Sequence, residues 1–77
     1  MILHTFAALK DIFSSSFEIP HFEGKVQDLR EFLIDQYPDA KNLLIISRFA
    51  EGTNILDDGA IISNNDNIYI IPPSSGG

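Results

Sequence analysis

Asn67-Ile68-Tyr69-Ile70-Ile71-Pro72-Pro73-Ser74-Ser75-Gly76-Gly77 is the stretch on which the reading of this chain turns. Its first five residues are dense in β-branched and aromatic side chains, the composition of a strand. That density predicts a central place in a sheet, paired in parallel with a first strand over Ile2 to Phe6. Pro72 and Pro73 fix φ and offer no N–H, so they end the strand and hold the last residues away from the sheet. The six residues from Pro72 to Gly77 span roughly 20 Å when extended. Asp66 is the last charged side chain, which leaves a neutral stalk ending in a pair without Cβ atoms. Such an end can thread a channel too narrow for any other residue pair. The same four last residues also fit a frayed end or a Ser-Gly linker.

Working outward, the 77 residues make one domain, expected over 1–71 with an extended tail over 72–77. There is no cysteine, so no disulfide and no thiolate metal site is available. His4 and His21 are too few and too poorly placed to predict a metal site. Eleven acidic residues against five basic ones give a net charge of −6, the wrong sign for binding nucleic acid. That charge instead favours solubility and a basic protein partner. No run approaches the roughly 20 apolar residues of a membrane span. A soluble cytoplasmic domain is the expectation.

The clearest helix is predicted over Lys25 to Tyr37. Val26, Leu29, Phe32, Leu33 and Tyr37 recur at three- and four-residue steps and form one apolar stripe. Gly24 is a permissible cap, Asp28 complements the helix dipole and Pro38 stops the helix. Ala7 to Phe13 has one to two turns of helical character. A second strand is expected over Phe17 to Phe22, antiparallel to the first, with Pro20 at an edge or bulge. Leu43 to Phe49 reads as a third, central strand. Turns are expected at Glu51 to Asn54, at Asp57-Asp58-Gly59 and at Ser63 to Asp66, with a short strand over Asn54 to Leu56. The result is an α+β domain, a mixed sheet packed on one main helix.

This order and tail resemble the β-grasp, ubiquitin-like family of sulfur carriers, and within it the MoaD-like small subunits of molybdopterin synthase. Phe6-Ala7-Ala8-Leu9-Lys10-Asp11-Ile12 is similar to the signature that comes after that family's first strand. Asn67 to Gly77 is similar to its terminal strand and Pro-Pro-Val-x-Gly-Gly end. Ser74 departs from the apolar residue usual after the prolines, and Ser63-Asn64-Asn65-Asp66 from a Lys-Asp-Gly-Asp turn. The resemblance is specific at the two ends of the chain.

The resemblance implies that an ATP-dependent, ubiquitin-activating-type partner adenylates the Gly77 carboxylate. A persulfide-derived sulfur then displaces AMP and leaves a thiocarboxylate. In complex with the large synthase subunit, in a heterotetramer, that sulfur passes to a cyclic pyranopterin precursor during molybdenum cofactor biosynthesis. Gly76 and Gly77 would carry the chemistry. Phe6, Lys10, Ile71, Pro72, Pro73, Ser74 and Ser75 would meet the partners. Phe6 and Ile71 fit an exposed patch and the core equally well, and Lys10 either pairs with a partner's acid or decorates the short helix. The chain offers no Gly-rich phosphate loop, no Ser/His/Asp set and no paired acids, so it is not expected to be an enzyme on its own. It would bind no cofactor or metal, the ATP belonging to the activating partner. Sulfur carriers of the same fold that serve tRNA thiolation, thiamine synthesis or protein conjugation are the near alternative. A ubiquitin-like binding module with an inert tail is the alternative of another class.

Overall fold

The computed structural model describes residues 1–5, 16–64 and 66–73. The strand expected at the start of the chain is β1, Ile2–Thr5, and the terminal strand is β7, Asn67–Ile71. The two pair in parallel, with Leu3 opposite Ile68 and Thr5 opposite Ile70. Between them in sequence lie β2 (Ser16–Glu18), β3 (Gly24–Lys25), helix α1 (Val26–Gln36) and a 3-10 turn (Pro38–Ala40). Helix α2 (Lys41–Ile46), β4 (Arg48–Glu51), β5 (Asn54–Leu56) and β6 (Ile61–Ile62) come next. The main sheet runs β2-β1-β7-β4-β5, which puts β7 at its centre. A second, two-stranded sheet pairs β3 with β6, a pairing with no periodic signal in residues so few.

Alternation of side chains along each strand places the core. Leu3, Ile68, Ile70 and Phe49 point to one face of the sheet, where Val26, Leu29 and Leu33 of α1 cover them; all seven are fully buried. Each such side chain contributes roughly 1.5–3 kcal/mol on leaving water. The helix stripe predicted from the sequence is therefore the stripe that packs, although Phe32 and Tyr37 sit at its margin and stay 38% exposed. Gly24 does not cap α1. Lys25 stands at the cap position, and its backbone N–H donates to the Asp28 carboxylate at 3.0 Å. Gly24 belongs to β3, where an added Cβ would lie 3.1 Å from that same carboxylate oxygen.

Two predicted strands are corrected. The second ends at Glu18 rather than Phe22, because Pro20 and His21, the latter at φ 59°, turn the chain away from β1. The third does not run over Leu43 to Phe49. Lys41–Ile46 is helical and the strand begins only at Arg48. A short apolar run has no periodicity that separates a buried strand from a helical turn. Side-chain bonds decide here, one local and two tertiary: Ser47 Oγ donates to Leu43 O at 2.6 Å, and Arg30 Nη1 donates to the carbonyls of Leu44 and, at 2.7 Å, Ser47. These satisfy carbonyls that the end of a helix would otherwise leave unpaired. The turns at Gly52 and Gly59 and the strand Asn54–Leu56 lie where they were expected. The helical turns expected over Ala7 to Phe13 fall outside the described residues.

Candidate functional site

The face of the main sheet opposite α1 is uncovered by any helix among the described residues, and β7 leaves the domain along it. Register sets its composition. His4 of β1 lies opposite Tyr69 of β7, Tyr69 opposite Ala50 of β4, and Ala50 opposite Ile55 of β5. This row crosses four adjacent strands. The His4 and Tyr69 rings stack at 4.5 Å between centroids and 16° between planes, and Asn67 Oδ1 lies 3.3 Å from His4 Nε2. Offset stacking of this kind fixes both rings against the sheet. Ala50 is small enough to be covered by its neighbours, while Ile55 is half exposed.

One step toward the end of β7, Ile71 lies opposite Arg48. Ile71 is 37% exposed and belongs to the outer face, which places it in the patch rather than in the core. Pro72 is half-buried and Pro73 exposed. The exit of the tail is thus bounded by an apolar Ile, an aromatic pair and a cation. Arg48 forms no ion pair among the described residues and stands across the ladder from Ile71, the last residue of β7. Phe6, Lys10, Ser74, Ser75, Gly76 and Gly77 lie outside the described residues.

Sequence reasoning missed His4, Arg48, Ile55 and Tyr69 as members of this face. The alternation Ile68/Tyr69/Ile70 carried part of the signal. Arg48 was hidden inside a run assigned wholly to a strand interior.

The far end of the same sheet carries one perturbed acid. The Glu51 carboxyl is held above the usual carboxylate range by a side-chain hydrogen bond to Asp66 and by the charge of that neighbour. Glu51 stands at the Asn54 end of β4, and Asp66 precedes β7, so the pair sits at the opposite end from Ile71. Among the described residues no three His, Cys, Asp or Glu side chains converge as a metal site would require, and no helix is long and apolar enough to cross a membrane.

No family model matches the chain, and no curated sequence matches it. Its structure is similar to the crystal structure of SAMP1 from Haloferax volcanii, with a TM-score of 0.72 over 99% of this chain and 97% of that one. The fold is the β-grasp. The two sequences are 17% identical, so the likeness is one of fold alone.

Proposed function

We propose that this chain is a sulfur carrier whose working group is the carboxylate of Gly77, and that it serves as the small subunit of a molybdopterin synthase. The observation that carries the reading is the exit of β7. The central strand of a β-grasp sheet runs out through Pro72-Pro73 into a neutral Ser-Ser-Gly-Gly tail, beside an exposed face that holds Ile71, Tyr69, His4 and Arg48. The fold shared with SAMP1 supports the general class, a ubiquitin-like carrier or modifier, and the Pro-Pro element favours the molybdopterin branch within it.

The chemistry starts from the weakness of a carboxylate as an electrophile. A Gly77 oxygen attacks the α-phosphorus of ATP held by an activating partner, pyrophosphate leaves, and the acyl-adenylate has AMP as a good leaving group. The terminal sulfur of a partner's persulfide attacks the acyl carbon and AMP leaves. A second thiol of that partner then cleaves the acyl disulfide, forming a disulfide in the partner and freeing a thiocarboxylate whose nucleophilic sulfur sits at the end of the stalk. This chain supplies the carrier atom, the reach and the docking face; the partners supply the ATP site and the catalytic side chains. Ile71, Pro72 and Pro73 meet the partner at the base of the stalk, with Phe6, Lys10, Ser74 and Ser75 around and along it. Gly76 lets the backbone enter a narrow channel.

Reconstitution tests the pathway. The thiocarboxylated chain, mixed with a large synthase subunit and the pyranopterin precursor, is expected to yield dithiolene product. A charged chain that instead supports tRNA thiolation or thiamine synthesis would move it to the neighbouring branch of carriers.

A further inference from the structure

Glycine follows an Asp or Asn only once in the 77 residues, at Asp58-Gly59. That pair forms the tip of the turn between β5 and β6, which Ala60 N closes by donating to Asp57 O at 2.9 Å. Asp57, Asp58 and Gly59 are all exposed, the Asp58 side chain by 59%. A Cβ added at Gly59 would meet nothing within 4 Å, and its φ lies outside the left-handed region. Neither packing nor backbone conformation requires glycine at this position. What it leaves is access, because no Cβ shields its amide nitrogen from the side chain before it.

The same turn is tied into the fold. Asp58 O accepts from Gln27 N at 2.9 Å and Ala60 O from Val26 N at 3.0 Å. Two first-turn N–H groups of α1, which have no acceptor within the helix, are satisfied in this way. The Asp58 carboxylate accepts from Arg30 Nη2 at 2.8 Å. Arg30 is itself fixed, being 12% exposed and bound through Nη1 to the carbonyls of Leu44 and Ser47. The carboxyl group next to the Gly59 nitrogen is therefore held by a cation that cannot follow it.

We propose that Asp58-Gly59 is a site of spontaneous covalent modification, where Asp58 passes through a cyclic imide to isoaspartate, and that Arg30 restrains it. The Gly59 nitrogen attacks Cγ of Asp58 and forms an N–Cγ bond. One carboxyl oxygen leaves as water, taking the amide proton and a proton from solvent. Water then adds to the main-chain carbonyl carbon of Asp58 and breaks its bond to the Gly59 nitrogen. The chain now runs through Cβ and Cγ, and the former main-chain carbonyl is a free carboxylate, its proton returned to solvent. Addition of water at Cγ instead restores aspartate. One water leaves and one enters, so the mass is unchanged and no oxidant, metal or enzyme takes part. The product lengthens the turn by one methylene and makes the acceptor of Gln27 N a carboxylate oxygen. It also converts the group that Arg30 holds into a neutral peptide carbonyl. The start of α1 and the Arg30 clamp are loosened together.

The test is ageing of the full chain at neutral pH and physiological temperature. Fragmentation mass spectrometry locates isoaspartate, and enzymatic methylation of isoaspartyl carboxylates counts it. Isoaspartate is expected to accumulate at residue 58. Gly59→Ala, which the open space around the turn accommodates, is expected to form it roughly tenfold more slowly. Arg30→Met is expected to speed it several-fold. That variant is also less stable, so Leu44→Ala is aged beside it: this change loosens the fold by a similar amount and leaves the Asp58 contact in place. Leu44→Ala is expected to age close to the parent rate. The isomerised fraction, separated by chromatography, is expected to unfold at a lower urea midpoint than the parent. Three outcomes overturn the proposal: no isoaspartate at residue 58, an unchanged rate in Gly59→Ala, or equal acceleration by Arg30→Met and Leu44→Ala.

Discussion

Arg30 Nη1 lies 2.7 Å from the carbonyl oxygen of Ser47, and through that contact α1 holds the end of α2. The same guanidinium sits 4.8 Å above the Phe49 ring and places Nη2 2.8 Å from the Asp58 carboxylate. Three segments that are far apart in sequence, α1, the α2–β4 junction and the turn before β6, thus share one side chain. Its planar fork is what permits this, since an ammonium is a single point of charge.

Arg30→Met is therefore expected to cost roughly 2–4 kcal/mol, because it removes charged hydrogen bonds and leaves helix-end carbonyls unpaired. Arg30→Lys should recover only part of that. Asp58→Asn should cost under about 1 kcal/mol, since Asp58 is well exposed. Urea unfolding midpoints of the three variants give the order.

The helical state of Lys41–Ile46 makes opposite predictions for neighbouring residues. Leu44 is fully buried, whereas Ile45 and Ile46 are 52% and 57% exposed. Leu44→Ala is expected to cost roughly 2–5 kcal/mol. Ile45→Lys and Ile46→Lys are expected to stay within about 0.5 kcal/mol of the parent. A central strand over the same residues would bury Leu44 and Ile46 alike, and equal losses at both would contradict the helix.

These residues also mark where sequence reasoning stopped. The α1 stripe and the parallel pairing of β1 with β7 were legible because each rests on a repeated local signal, period 3.6 in Val26/Leu29/Leu33 and a dense β-branched run in Ile68 to Ile71. Pro20 was expected at an edge or bulge of the second strand and lies instead in the turn after it, a local loss of a donor that ends the strand early. The identity of Lys41–Ile46 was not legible, because it depends on Arg30, more than ten residues away. The outer face was only half legible. Ile71 could be placed near the tail, but the row His4, Tyr69, Ala50 and Ile55 exists only once four strands are in register.

Glu51 supplies a pH dependence with a definite sign. Its folded carboxyl binds a proton more tightly than the unfolded one, through the hydrogen bond to Asp66 and that neighbour's charge. The native state thus holds more protons in this window, so stability falls as pH rises from the ordinary carboxylate value through the raised one. Glu51→Gln keeps a donor toward Asp66 and removes the titration. Its stability profile should lack this decline across the mildly acidic range; an unchanged slope would show that Asp66 does not act on Glu51. Thermal unfolding at a series of pH values measures it.

The outer face is expected to act in docking and not in folding. Ile71→Glu and Arg48→Glu alter exposed positions at the base of the tail, and both should leave thermal stability nearly unchanged. Each is expected to slow adenylation by an activating partner about tenfold or more, the cost of losing an interface anchor or reversing its charge. Pyrophosphate release measured against chain concentration separates weaker docking, a raised KM, from a slower step.

The central claim is that the Gly77 carboxylate is the working group, and intact-mass spectrometry tests it most directly. The full chain and a variant lacking Gly77 are incubated side by side with an activating enzyme of the ubiquitin-activating type, ATP and a sulfur donor. The account predicts a mass gain equal to sulfur replacing one oxygen, in the full chain alone. A full chain that forms neither adenylate nor thiocarboxylate, under conditions that charge a known carrier, would contradict it and leave a β-grasp binding module with an inert tail.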